Sequence, residues 1–176
     1  MSSLPATAFL PGTPQDFDFF IGRWQVRHRR LQQRLVGCDT WDHFEGMSQV
    51  RPLLGGAGNV DDNWLDLPGG GYRAVSLRSF DAATRQWSIW WLDGRLPHRL
   101  DPPVVGRFAG GVGEFQCDDM LDGQPIRVRF LWTQTDGPQP RWEQAFSADG
   151  GQTWESNWVM EFQRLAAGGA TATWLR

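Results

Sequence analysis

From Trp24 onward, apolar and polar residues alternate in short runs separated by Gly, Pro, Asp and Asn. That is the period-two signature of half-buried strands. Residues 125–134 carry it most plainly: Ile126, Val128, Phe130 and Trp132 alternate with Arg127, Arg129 and Thr133. The same reading gives strands over 24–32, 40–51, 59–67, 72–80, 86–92, 104–108, 114–121, 141–147 and 153–164. Between them lie a Gly-rich loop at 52–58, turns at 68–71 and 81–84, a Gly-containing link at 110–113, and the hairpin pair Asp122-Gly123. A helical pattern occurs once. Thr13-Pro14-Gln15-Asp16 supplies an N-cap, a first-turn proline and an acid to close a capping box; Phe17, Phe19, Phe20 and Ile21 follow, and Gly22 ends it.

Long strands in sequential order, with no crossover helices, predict an all-β fold: a closed antiparallel up-and-down barrel of about 8–10 strands with a short N-terminal helical turn. No internal repeat and no linker divides the chain. The expected organisation is an N-terminal extension over 1–12, the barrel over 13–164 and a loose C-terminal tail over 165–176, whose composition is rich in Ala and Gly.

Composition narrows the function classes. A net charge of -3, from 17 basic and 20 acidic residues, gives no electrostatic reason to expect nucleic acid or an anionic membrane as partner. Every basic residue is Arg, so no Lys is available as a Schiff base or general base. Cys38 and Cys117 form no C-x-x-C pair and read as free thiols of a reducing compartment. The N-terminus lacks a signal-peptide pattern, and no apolar run approaches the roughly 18 residues of a membrane helix, so the expectation is a soluble cytoplasmic protein. The 11 Trp against 1 Tyr imply a wide core or a pocket lined with rings.

Gly22-Arg23-Trp24-Gln25-Val26 enters the first long strand directly after the helical turn, and Arg164 stands at the end of the last one. This order resembles the lipocalin (calycin) barrels, and is similar to uncharacterised bacterial lipocalin-like domains of unknown function. The resemblance, covering roughly residues 13–164, implies that Trp24 closes the barrel floor and that Arg164 packs across it. It implies no cofactor. The longer G-x-W-x-G-x-G of haem-binding barrel relatives is absent, since Arg27 and His28 follow Val26.

Other motifs reduce to structure. Ser147–Trp154 fits the S-x-D-x-G-x-T-W box of propeller blades, but without repetition it reads as a tight hairpin turn. Gly55-Gly56-Ala57-Gly58 lacks the lysine and helix of a phosphate loop. Asp61-Asp62 and Asp118-Asp119 point to opposite faces if they lie in strands, and read as solvated turn carboxylates. His28, His43 and His98 have no metal spacing, and no G-x-S-x-G occurs.

If Trp24 points inward, period two carries His28 and Arg30 inward too. His43 shares a face with Trp41, Glu45 and Met47, which is taken as the lumen face of the second strand. Gln144 lies between Trp142 and Phe146 on a core-like face, and Trp132 follows Phe130. Arg78 completes the set. His28, Arg30, His43, Arg78, Trp132 and Gln144 are therefore the candidate ligand-binding residues, with no catalytic or metal residues assigned. A buried Arg needs a carboxylate, from Glu45 or from an anionic ligand. The expected function is binding of a small apolar or amphipathic molecule, acidic in character, in the lumen. Two alternatives stand beside it: an enzyme on the same barrel, of isomerase, cyclase or decarboxylase type, and a homodimeric interaction module without ligand, built on a Trp-rich surface, since Trp87, Trp90 and Trp91 put rings on both faces of one strand and only one face can be the lumen.

Overall fold

The computed structural model describes residues 12–166. The proposed extension over 1–12 and tail over 165–176 therefore lie almost wholly outside the described residues. Ten strands form the fold: β1 (Gly22–Leu31), β2 (Trp41–Leu53), β3 (Gly58–Leu65), β4 (Tyr72–Asp81), β5 (Gln86–Asp93), β6 (Val104–Ala109), β7 (Val112–Leu121), β8 (Gln124–Thr133), β9 (Arg141–Ser147) and β10 (Glu155–Arg164). Each pairs antiparallel with its sequence neighbours, and β1 pairs with β10 to close the barrel. Closure gives every strand two neighbours, although β5 and β6 pair only from Trp87–Gly106 to Ile89–Val104. The turns follow their chemistry. At Asp122-Gly123, φ is +49° and +81°, so both central residues take the left-handed conformation of the tight hairpin between β7 and β8.

The helical signal shrinks to a 3-10 turn, Asp18–Phe20. The cap chemistry forms all the same, since the Asp16 carboxylate accepts from the Thr13 N–H at 2.7 Å and from its hydroxyl at 2.8 Å. The turn delivers Phe17 and Phe20, both almost fully buried, into one end of the barrel. There they meet Trp24, Trp87, Phe108, Phe115, Trp132 and Phe162 in edge-to-face and offset contacts with ring centres 4.7–6.1 Å apart. Trp24 Nε1 donates to the Phe20 carbonyl at 2.8 Å. Arg164 lies opposite Trp24 in the β1–β10 register, with its guanidinium 4.1 Å from the ring centre. It also donates to the carbonyls of Ile21, at 2.7 Å, and of Phe19. This end is a plugged floor.

Ser147–Trp154 forms the turn between β9 and β10. The Asp149 carboxylate accepts from the Thr153 N–H at 2.9 Å, the Thr153 hydroxyl at 2.6 Å, the Ser147 hydroxyl at 2.7 Å and the Gln152 N–H at 3.0 Å. These donors hold its carboxyl well below the usual carboxylate range. Trp154 packs beside it, donating to the Gly151 carbonyl and facing Arg129.

The faces of two strands differ from the sequence expectation. In β2 the buried residues are Phe44, Gly46, Ser48 and Val50, so His43 and Glu45 point outward. The register explains it: directly paired residues share a face, and His28 stands opposite Phe44 while Arg29 stands opposite His43. The apolar Trp41 and Met47 on the outside, with Gly46 and Ser48 inside, invert the usual signal. In β3, Asp61 and Asp62 do point to opposite faces, but only Asp62 is a surface carboxylate. Asp61 is 2% exposed and sits in the lumen.

Candidate functional site

At the end opposite the floor the barrel opens into a cavity of about 260 Å³. Its walls are apolar and aromatic: Trp91 from β5, Val128 and Phe130 from β8, Trp142 and Phe146 from β9, and Trp158 from β10. Trp158 stands edge-on to both Trp91 and Trp142, with ring centres 5.8 and 5.6 Å away. Such a lining suits an apolar or aromatic body, and the size is that of a small molecule. Polar groups ring the mouth: Arg30, Arg34, Tyr72, Asp93, Arg95, Asp101, Asp119 and Gln144.

The mouth is electrically divided. Arg95 is neutralised by Asp93, at 2.6 Å, and lies flat over Tyr72 with the guanidinium 3.7 Å from the ring centre. Arg30 donates to the Tyr72 hydroxyl at 3.4 Å and faces the Trp158 ring at 5.1 Å. Among the described residues it has no carboxylate within 4 Å. Arg34 stands near it, and burial, then the Arg30 charge, lowers its pKa. Across the ring, Asp101 and Asp119 face the same cavity; burial raises the Asp101 pKa, opposed by Arg99 and reinforced by the Asp119 and Asp93 charges. The Cys117 thiol between them is pushed up to about 11 by burial and by Asp119, Asp118 and Asp101, so it stays protonated and is a poor nucleophile at neutral pH.

Below the mouth cavity, and sharing Ile89, Trp91, Phe130 and Trp142 with it, lies an inner chamber of about 30 Å³. Its walls include Phe20, Asp61, Asn63, Ser76, Arg78 and Trp132. Arg78 and Asp61 make an ion pair of 2.7 Å with both side chains at most 5% exposed. Arg78 also donates to Asn59 at 2.9 Å, and its guanidinium faces the Phe20 and Phe17 rings at 5.1 and 5.3 Å. Asp61 in turn accepts from the Ser76 N–H at 2.7 Å and the Asn63 amide at 2.6 Å. The carboxylate that a buried Arg demands is thus Asp61, not Glu45 and not a ligand. The pair is stitched into three neighbouring hydrogen bonds, the condition under which a buried charge pair is tolerated.

The six sequence candidates separate accordingly. Arg30 and Gln144 come together at the mouth; Gln144 donates to Asn157, buried at the β10 bulge, at 2.8 Å. Arg78 and Trp132 come together in the inner chamber. His28 is buried behind the wall, stacked on Phe44 with ring centres 4.6 Å apart, and its Nδ1 accepts from Trp158 Nε1 at 3.2 Å. Burial, and to a lesser degree the Arg30 charge, pushes its pKa down to about 3, so it is neutral at physiological pH. It fixes the orientation of a wall tryptophan and is not itself among the lining residues. His43 lies on the outer surface beside Arg29, where it and His28 border a separate, mostly charged pocket of about 300 Å³ with Arg27, Arg141 and Glu161.

Sequence reasoning missed Asp61, Tyr72, Arg34, Trp91 and Trp158 as lining residues. The signal for Tyr72 was present, since it shares parity with Ala74, Ser76 and Arg78. For Asp61 it was not: the inward stripe of β3 is Asn59, Asp61 and Asn63, and the outward one is Val60, Asp62 and Trp64. Among the described residues, no group of three or more His, Cys, Asp or Glu side chains is placed to hold a metal ion.

A shallower groove of about 560 Å³ lies outside the barrel, between the β7–β8 hairpin and the Ser147–Trp154 turn. It is larger but open and has few rings, so the lumen is the stronger candidate. No helix among the described residues is long and apolar enough to cross a membrane. The chain matches no protein-family model and no curated protein.

Proposed function

We propose that this chain is a lipocalin-like binding protein, whose ligand is a small amphipathic molecule with an acidic or strongly accepting group on an apolar body. The observation that carries the reading is Arg30. It stands at the rim of a ring-lined cavity, and among the described residues its one hydrogen-bond partner is the Tyr72 hydroxyl. A carboxylate entering the mouth would find Arg30 and Arg34 on one wall, while its apolar body would lie against Trp91, Trp142, Phe130 and Trp158. Arg–carboxylate bonds are charge-assisted and directional, which suits recognition at a half-exposed rim. The floor built on Trp24 and Arg164 supports the lipocalin-like character. The enzyme alternative has no His–carboxylate contact among the described residues to build on, because His28 is enclosed by Phe44 and Trp158.

The test is a fluorescence titration with decanoate and 2-naphthoate, read through the wall tryptophans. The expected result is a saturable change with both, weakened about tenfold in Arg30→Gln, the loss of one charge-assisted hydrogen bond. Absence of a saturable change with either acid would overturn the reading and favour the homodimeric interaction module.

A further inference from the structure

The inner chamber has hydrogen-bonding capacity of one sign left over. Asp61 is occupied by Arg78, Ser76 and Asn63, and two of the Arg78 nitrogens are occupied by Asp61 and Asn59. Among the described residues, no acceptor lies within hydrogen-bond reach of Arg78 Nε or of Trp132 Nε1, although both atoms are buried. Both residues line the chamber, and they are 4% and 2% exposed. Buried donors almost always have a partner, and two of them on one enclosed space call for an acceptor there. The charge of Arg78 is already cancelled by Asp61 at 2.7 Å, so the attraction left is that of two N–H groups rather than of a cation. A second anion would have to sit beside the buried Asp61 carboxylate.

We infer that the chamber is an inner subsite for a neutral hydrogen-bond acceptor on the ligand, a ketone, aldehyde or ester carbonyl, held by Trp132 Nε1–H and Arg78 Nε–H. The inference rests on the binding reading above and sharpens it: the acid group stays at the Arg30 rim, the apolar body spans the aromatic walls, and the far end carries a carbonyl. A cavity of about 30 Å³ exceeds the roughly 10–15 Å³ needed on this measure to hold one water, so it admits one small group. The ligand class is therefore an oxo-acid with an apolar or aromatic middle. Selectivity follows from the same geometry, because a hydrocarbon tip would leave both donors unpaired.

The test compares 4-acetylphenylacetate with 4-isopropenylphenylacetate, in which a =CH2 group replaces the carbonyl oxygen. The wild-type protein should bind the acetyl acid three- to tenfold more tightly, about the worth of one or two neutral hydrogen bonds. Trp132→Phe, which keeps a ring and removes the donor, should shrink that preference to about twofold or less, the readout being the ratio of the two affinities and not either one alone. In 15N-labelled protein the indole N–H resonance missing from Trp132→Phe should move downfield with the acetyl acid and not with its hydrocarbon twin. Equal affinities for the two acids would overturn the subsite and leave the binding reading standing. A Trp132 N–H that exchanges magnetisation with a held water, unchanged by saturating acetyl acid, would also overturn it, assigning the chamber to an internal water only. Failure of both acids to bind would remove the subsite and the binding reading together.

Discussion

At the scale of single residues, the lumen separates charge that is finished from charge that is available. Asp61 and Arg78 complete each other, whereas Arg30 remains open at the rim. His28 illustrates the cost of burying a titratable ring. Its folded pKa of about 3 lies well below the ordinary histidine value of 6.5. Below pH 6.5 the unfolded chain therefore binds a proton that the folded chain refuses, so ν is greater in the unfolded state and stability rises with pH. The contribution of His28 is fully present above about pH 6.5 and falls as the pH drops towards 3, by up to about 1.4 kcal/mol per pH unit. We expect urea unfolding between pH 7 and pH 4 to show this loss, and His28→Asn, which keeps an acceptor for Trp158 but has nothing to protonate, to flatten it. An unchanged slope would mean that other groups dominate the acid limb.

At the scale of elements, the barrel closes through the seam between its first and last strands. Seven residue pairs from Trp24–Arg164 to Arg30–Trp158 define that register, and Arg164 locks its lower end onto the floor. Arg127 is a fair control: it sits on the outer face of β8 with an exposed ion pair to Asp118 at 3.5 Å. Removing the contact over Trp24 and the carbonyl bonds of Arg164 should cost about 1–3 kcal/mol. For a chain of this size that is a drop in Tm of roughly 2–12 °C. Arg127→Ala should stay within about 1 kcal/mol, the value of an exposed pair. Thermal unfolding of the two variants decides it; equal drops would deny Arg164 its role in closure. Close packing between elements is also tight at Gly106, which lies between Trp87 and Phe115. A Cβ there would come within 1.8 Å of the Glu114 carbonyl oxygen, so this strand position admits only glycine.

At the scale of the whole molecule, one end is filled by eight rings and the other is left open, which makes the barrel a cup. Every strand pairs with two neighbours, but β5 and β6 pair only from Trp87–Gly106 to Ile89–Val104, so the wall beside the mouth at Trp91 is the most loosely seamed part of the barrel. A ligand held only by the folded cup must stabilise it by mass action. At a concentration of 100 Kd the gain is about 2.7 kcal/mol. We therefore expect decanoate at that concentration to raise Tm by roughly 5–11 °C, and by clearly less in Arg30→Gln at the same decanoate concentration. A Tm independent of decanoate would contradict lumen binding even if surface fluorescence changed.

The local signals in the sequence determined a great deal. Alternation and turn residues located all ten strands, because a half-buried strand must alternate and a tight turn needs Gly, Asp or Asn whatever surrounds it. The floor was legible through the resemblance of the Gly22-Arg23-Trp24 entry and the terminal Arg164 to lipocalin barrels, and an even number of strands sets the last antiparallel to the first, as the Trp24–Arg164 pairing shows. The lumen was only partly legible. Arg30, Trp132 and Gln144 were assigned to the lumen from strands whose phase a core residue anchored, and they lie there; Arg78 also lies there, but both faces of its strand are mixed, so no phase argument placed it. His43 was assigned to the wrong face because β2 hides Gly46 and Ser48 and shows Trp41 and Met47. Asp61 was taken for a surface carboxylate because β3 turns its polar stripe inward. Phase in such strands is set by the register with neighbours and by the pairing of one buried charge with another across strands, and those are facts of the assembled barrel. Tertiary structure alone decided that Asp61 neutralises Arg78, that Arg30 is left open, and that two residues lining a chamber at the bottom of the cup each keep a buried donor without a partner.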